Sequence, residues 1–503
     1  MKAIKTLVAL LLLSIASQAK EHKTTLNTEE KPLAIVIPSY NNKHFYKRNL
    51  KTVFMQNYEN YRIIYINDAS TDGTGNLAQA YIKECKQEHR TTFINNKTNR
   101  GALANTYKAI HLCDDHEIII ILDGDDWCAH DKVFEKINKA YQDKNIWTTY
   151  GQYEEIHYNQ KKDTFFKRPG ICKQIPPNIV RAHAYREDGW VSSHVKTFYA
   201  GLFKNIKLQD LLDKDGFLTA ACDMAYMFPI LEMVAGKFKF IKDTLYIYNC
   251  IPFNNVYKTK LQKQLHNANI LRAKNKYMPL ETPYKHTEPN NQTDLIILSE
   301  GNMYKLYTSL ESVTAYMPGL QDIYILYSPE NDPKSNFDML KQIYKNIHFV
   351  EILDTNTFKK KLEDTIITSK SPYILFSTDT TIVQTPVDIQ YCITLMEQTY
   401  AYGFFLYLGK NTKENHALIR KQKIAPHVEI SKNIYAWQFK YGEHNWRRPH
   451  NLFMTLYRKN DILQSVRDLN YNSSENLSAT WNNQLFDMEN IGLFFEASKV
   501  KNV

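Results

Sequence analysis

The run EIIIILDGDDW (residues 117–127) decides the fold. It is apolar from Ile118 to Leu122 and then breaks into three carboxylates, Asp123, Asp125 and Asp126. A short, unbroken apolar run reads as a strand buried on both faces, as in a parallel sheet covered by helices. Upstream, LAIVIP (33–38), YRIIYIND (61–68) and TTFINN (91–96) have the same character. The stretches between them, 43–56, 74–88 and 102–112, carry helical periodicity. Alternating strand and helix predicts an α/β domain whose ligand site lies at the carboxyl ends of the strands. Asp68 closes the second run and Asp123 the fourth, so their carboxylates are expected to converge on one crevice.

Three Asp within four positions repel one another, and a divalent cation relieves the repulsion. Oxygen-only ligands favour Mg²⁺ or Mn²⁺, with substrate phosphates completing the shell. Gly124 allows a tight turn at that point.

The remainder of the chain bounds this reading. At 503 residues, and ~100–200 residues per domain, two or three domains are expected. Hydrophobic residues at 43% and charged residues at 23% exclude a disordered, collagen-like or coiled-coil chain. The net charge of +10 is spread along the chain with no long basic run, which argues against nucleic acid as a partner. A basic face suits nucleotide phosphates or an anionic membrane surface equally well. The seven Cys form no CxxC pair, so neither a zinc ribbon nor a disulfide framework is expected.

Lys2 and Lys5 precede an apolar stretch, Thr6 to Ala16, followed by Ser17-Gln18-Ala19. This is the pattern of a signal peptide cleaved after Ala19, with export as the consequence; an uncleaved membrane anchor is the alternative. The expected division is a signal peptide (1–19), a linker (20–32), a first domain (33–260), a helix with a Pro-containing linker (261–290) and a second domain (291–503). In the second domain the alternation restarts with DLIIL (294–298), DIYILY (322–327), IHFVEI (347–352) and PYILFSTD (372–379). It reads as a diverged copy of the first, with Ser377-Thr378-Asp379-Thr380-Thr381 where the first has its carboxylates. Trp446, Arg447, Arg448 and Tyr457 gather in one segment, suited either to capturing a sugar acceptor or to an ordinary core.

IVIPSYNN, INDASTDGT, NNKTNRGALANTYKAI and IIIILDGDDW, in that order, resemble the nucleotide-binding half of family 2 glycosyltransferases, which have the GT-A fold. The resemblance covers roughly residues 33–260. It implies a mostly parallel, Rossmann-like sheet with helices on both faces and a nucleotide-sugar donor, usually UDP-linked. The acceptor would be a glycan, lipid or protein. The resemblance places Pro38 and Tyr40 at the base pocket and has Asp68 accept from the base. Arg100 and Asn105 would run past the ribose and phosphates, Asp123 would touch the ribose and, with Asp125, hold the metal. Asp223 aligns with the family's catalytic base, although Cys222 replaces the Glu that usually precedes it. Asp126, Trp190, His194 and Lys196 resemble acceptor-side or phosphate-side residues. Asn249 departs from the Arg common at the end of the domain, which puts a His metal ligand from that segment in doubt. The implied chemistry is metal-dependent, inverting sugar transfer; a non-catalytic sugar or nucleotide binder on the same fold is the alternative.

Overall fold

The computed structural model describes residues 29–159, 161–251, 261–285, 290–328, 334–412, 414–415 and 420–502. The expected signal peptide (1–19) and most of the expected linker (20–32) lie outside the described residues. Among the described residues no helix is long and apolar enough to cross a membrane.

The chain divides into two compact units, one ending at Phe203 but regaining Tyr226–Tyr284, the other made of Lys204–Ala225 and Lys285–Val503. In the first, strands β1 (Leu33–Ser39), β2 (Tyr61–Asn67), β3 (Thr91–Asn95) and β4 (Ile118–Ile121) alternate with helices α1 (Tyr46–Phe54), α2 (Thr74–Glu84) and α3 (Ala102–His111). The short β5 (Trp127–Cys128), helix α4 (Val133–Tyr141), the long β6 (Thr148–Asn159), β7 (Thr164–Pro169), β8 (Lys196–Tyr199), helix α5 (Cys222–Val234), β9 (Phe238–Asn249) and helix α6 (Leu261–Ala273) follow. The sheet order is β3-β2-β1-β4-β8-β6-β9-β5, with β7 hung on β6. The first four strands are parallel, as expected, and every residue of β1 and β4 is buried, because helices cover both faces.

The second unit repeats this plan. Strands β10 (Thr293–Ser299), β11 (Ile323–Tyr327), β12 (Ile347–Glu351) and β13 (Tyr373–Thr378) are followed by β14 (Thr381–Val383), β15 (Gly403–Phe405), β16 (His427–Ser431), β17 (Ile434–Gln438), β18 (Thr455–Arg458), β19 (Ile491–Phe495) and β20 (Val500–Asn502). Its sheet runs β12-β11-β10-β13-β18-β15-β19-β17-β16. In each unit four parallel strands in the order third-second-first-fourth meet an antiparallel strand, β8 or β18. The next strand, β6 or β15, runs antiparallel to that one and parallel to β9 or β19. Even the short strand after the fourth recurs: β5 pairs with the end of β9, and β14 pairs with β20, which follows β19.

Register shows how far the second copy has diverged. Val36 lies opposite Ile121 and Leu298 opposite Thr378, so Ser39 is level with Gly124 and Ser299 with Asp379. Thr378 and Thr380 therefore stand where the first unit has Asp123 and Asp125. Asp379 takes the place of Gly124, is 1% exposed, and accepts from Ser299 Oγ (2.8 Å) and the Glu300 N–H (2.9 Å). It is thus an internal brace where the sequence reading saw the remnant of a metal carboxylate.

Three further expectations change. Residues 261–284 belong to the first unit and are no simple linker. The buried pair Arg186–Glu232 (2.6 Å) joins the segment before β8 to α5; Arg186 also donates to the Leu271 carbonyl, and Glu232 accepts from Tyr277 N–H (3.0 Å). Residues 204–225 group with the second unit, dividing the chain within α5. Trp446 and Tyr457 are both 0% exposed, so they are core and present no ring to an acceptor.

His450 is also buried in the second unit, stacked on Trp481 (4.9 Å) with Nδ1 3.1 Å from the Trp481 carbonyl. Burial pulls its pKa from 6.5 down to about 4. The folded protein therefore resists a proton that the unfolded chain accepts. Stability from this group is complete above pH 6.5 and declines as pH falls towards 4, by up to about 3 kcal/mol. Urea unfolding at a series of pH values should show this acid loss. His450→Asn should lower stability at pH 7, through the lost stacking, and flatten the response between pH 6.5 and 4.

Candidate functional site

The site forms at the carboxyl ends of β1, β2, β3 and β4. Asp68, just past β2, is 3% exposed. Its Oδ1 accepts from Asn96 Nδ2 and the Arg100 N–H, and its Oδ2 from the Gly101 N–H, all at 2.8 Å. Three of about four acceptor positions of the carboxylate are thus used to hold the loop after β3. Asn96 Nδ2 also donates to Asn105 Oδ1 (2.8 Å), so Asn105, 2% exposed, secures the same loop. Arg100 is exposed and joins this network through its backbone. Tyr40 is 43% exposed at the mouth of the site. Pro38 is buried, so it supports the site from beneath; its carbonyl accepts from the Gly124 N–H (3.0 Å). Beside Asp68 lies a recess of about 310 Å³ lined by Asn67, Ser70, Asn76, Asn95, Asn96 and Lys97. The sequence reading passed over these amides, although Asn67 and Asn95 end the strands it identified.

The carboxylate loop is fixed from three sides. Asn49 of α1, 0% exposed, donates Nδ2 to the carbonyls of Asp123 (2.9 Å) and Asp126 (2.7 Å). Tyr246 of β9 accepts from the Asp123 N–H (3.2 Å) and donates its hydroxyl to Asp126 Oδ2 (2.6 Å). Asn249, at the end of β9, donates its N–H to Asp126 Oδ1 (2.7 Å) and Nδ2 to the Asp125 carbonyl (3.1 Å). A Cβ on Gly124 would lie 2.6 Å from both Ser39 Oγ and Asn42 Nδ2, so only glycine fits the close passage over β1.

The three carboxylates now separate into roles. Asp126 is 0% exposed, and burial together with the charges of Asp125 and Asp123 raises its pKa far above the usual range. It is an internal anchor, and its expected acceptor-side role does not survive its burial. Asp123 and Asp125 are half-buried. Burial, then the charge of Asp123, pushes Asp125 up to about 7. A hard divalent cation would favour the charged form of such buried, neighbouring oxygen donors, so the pair fits one.

The remaining candidates lie deeper than expected or to one side. His194, 8% exposed, stacks on Tyr246 (4.6 Å) and Tyr248 (5.2 Å), and Lys196, 1% exposed, donates Nζ to its Nδ1 (3.2 Å). Both pack behind the loop, so neither presents its side chain to an acceptor or phosphate from solution. Trp190 is half-buried and meets Phe228 of α5 edge-on (5.5 Å). Asp223 occupies the first turn of α5 and is half-exposed.

Residues 34–206 match the family model described as glycosyl transferase family 2. This segment belongs to glycosyl transferase family 2. The family 2 domain is 21% identical over 223 residues to glycosyltransferase GlyA of Streptococcus pneumoniae, covering 43% of this chain and 30% of GlyA. It is 25% identical over 219 residues to glycosyltransferase GlyG of the same organism, covering 43% of this chain and 70% of GlyG. The chain thus spans less than a third of GlyA. Among solved structures, S. aureus TarS 1–349 in complex with UDP-GlcNAc overlays with a TM-score of 0.34 at 14% identity, covering 43% of this chain and 58% of that one.

The anchoring role of Asp126 has a direct test. Asp126→Ala leaves the Tyr246 hydroxyl and the Asn249 N–H buried without their acceptor, at a cost of about 1–3 kcal/mol each. Asp126→Asn keeps an oxygen and the shape of the side chain, so it should cost no more than about 1 kcal/mol. Urea unfolding of the two variants checks the difference; equal losses would mean that the anchor must be charged.

Proposed function

We propose that this chain transfers a sugar from a nucleoside-diphosphate sugar to an acceptor hydroxyl, with a divalent cation at Asp123 and Asp125 and inversion at the anomeric carbon. The observation that carries the reading is the half-buried Asp123/Asp125 pair just past the end of β4, where burial and then the charge of Asp123 raise Asp125 to about 7, on a loop pinned by Asn49, Tyr246 and Asn249. The family 2 match over residues 34–206 supports sugar transfer as the reaction.

The remaining acceptor position of Asp68 and the amide-lined recess beside it suit the base of the donor. When bound, a divalent cation would offset the charge of the departing diphosphate. Asp223 would take the proton of the acceptor hydroxyl as that oxygen attacks, since a neutral hydroxyl is a poor nucleophile. The sugar would pass through an oxocarbenium-like state, and one base with no covalent nucleophile gives inversion. Only the first unit would hold the cation, because the second has Thr378 and Thr380 at the two ligand positions.

Release of nucleoside diphosphate from a panel of sugar nucleotides, with and without Mn²⁺, identifies the donor; UDP-sugars are the first to try. Asp125→Ala should abolish the Mn²⁺-dependent part of UDP affinity measured by calorimetry. Asp223→Asn should leave UDP affinity intact and slow transfer by ~10²–10⁴-fold. Unchanged turnover would move the base elsewhere, and UDP binding without turnover on any donor would make the chain a binder.

A further inference from the structure

We infer that the β6–β7 hairpin of the first unit is a membrane-contact element that docks on an anionic lipid surface. The hairpin departs from the path of the sheet: β7 pairs with β6 alone, and all six of its residues are exposed. Soluble proteins protect such edges or use them. This one is left open and carries aromatic rings. Phe165 is 67% exposed, Tyr158 39% and Phe166 37%. Register sets Tyr158 opposite Phe165, with ring centroids 5.1 Å apart, and His157 opposite Phe166. Large rings at this exposure gain nothing from water, and aromatic side chains favour the boundary between lipid headgroups and acyl chains.

Charge selects the surface. Between Tyr158 and Arg168 lie four cations, Lys161, Lys162, Lys167 and Arg168, against one acid, Asp163. Asp163 is already engaged by the Tyr158 hydroxyl, and Lys167 by Glu154 (2.7 Å). Glu155, opposite Arg168, is taken by His157 (2.8 Å). Lys161 and Lys162 lie in the turn, and Arg168 lies over the Phe166 ring (5.2 Å), none of them paired with an acid among the described residues. Cations beside exposed aromatics can keep their charged ends at lipid phosphates while the rings sink beneath. A protein partner would more commonly offer acids in fixed positions, whereas this hairpin presents cations both in its turn and on β7, as a diffuse anionic surface requires.

The test uses the full chain with vesicles of phosphatidylcholine, with and without phosphatidylglycerol. Co-sedimentation should require phosphatidylglycerol and weaken with salt. Lys161→Glu/Lys162→Glu should reduce affinity by at least about five-fold for each cation lost. Phe165→Ser should reduce it as well, with secondary structure by circular dichroism unchanged. Because the N-terminal apolar stretch could itself hold the chain on vesicles, hydrogen exchange followed by mass spectrometry provides a local readout. Peptides spanning 156–169 should gain protection with phosphatidylglycerol vesicles and lose that gain in the Lys variant. Exchange in 156–169 that vesicles leave unchanged, or binding indifferent to all three substitutions, would overturn the inference, as would hairpin protection that appears without lipid and tracks protein concentration.

Discussion

A carboxyl group with no access to water organises the first unit's site. Asp126 receives the Tyr246 hydroxyl and the Asn249 N–H, both from a strand more than a hundred residues further along the chain. That strand closes the far side of the sheet, so the loop after β4 can form only when the sheet is complete. Burying the group is costly, and its two hydrogen bonds offset the cost only in this geometry. The reward is positional: with Asp126 anchored inside, the backbone that carries Asp123 and Asp125 is held in place.

The same loop explains why neighbouring carboxylates do different work. Asp125 and Asp126 are adjacent, yet one is half-buried while the other is sealed in the core. Asp125 stands in the turn that the Asp126 N–H closes on the Asp123 carbonyl (3.0 Å) and Asp126 just after it, so the turn directs the two side chains to different surroundings. His194 and Lys196 belong to the anchor side: by stacking on Tyr246, His194 fixes the ring whose hydroxyl reaches Asp126. Their influence on donor binding would therefore pass through the loop.

Much of this was legible in the sequence. The eight apolar runs appear as eight parallel strands with boundaries shifted by a residue or two, because continuous burial on both faces leaves an unmistakable pattern. Asp68 directly follows β2 and Asp123 lies two residues past β4, since strand ends are fixed once the strands are. The anchors were not legible. Asn49 sits on an otherwise apolar helix face, and nothing local tells that its amide meets two carbonyls more than seventy residues away. The removal of 204–225 to the second unit was equally hidden, as it depends on packing between distant segments. Trp446 stayed open between two readings because an aromatic beside two Arg reads the same whether its ring lines a groove or fills a core; its burial decides for the core.

The brace formed by Asp379 bears on whether the second copy could regain what the first has. Placing carboxylates at 378 and 380 would set them beside a third acid already bonded to Ser299 and the Glu300 amide. Making room for the loop path of the first unit would require glycine at 379, which strips both partners of their acceptor. Each single step is unfavourable alone, and the benefit arrives only when all three are in place. The exchange at this one position acts as a ratchet: the way from the second copy's loop to a carboxylate loop like that of the first is closed to one-step change.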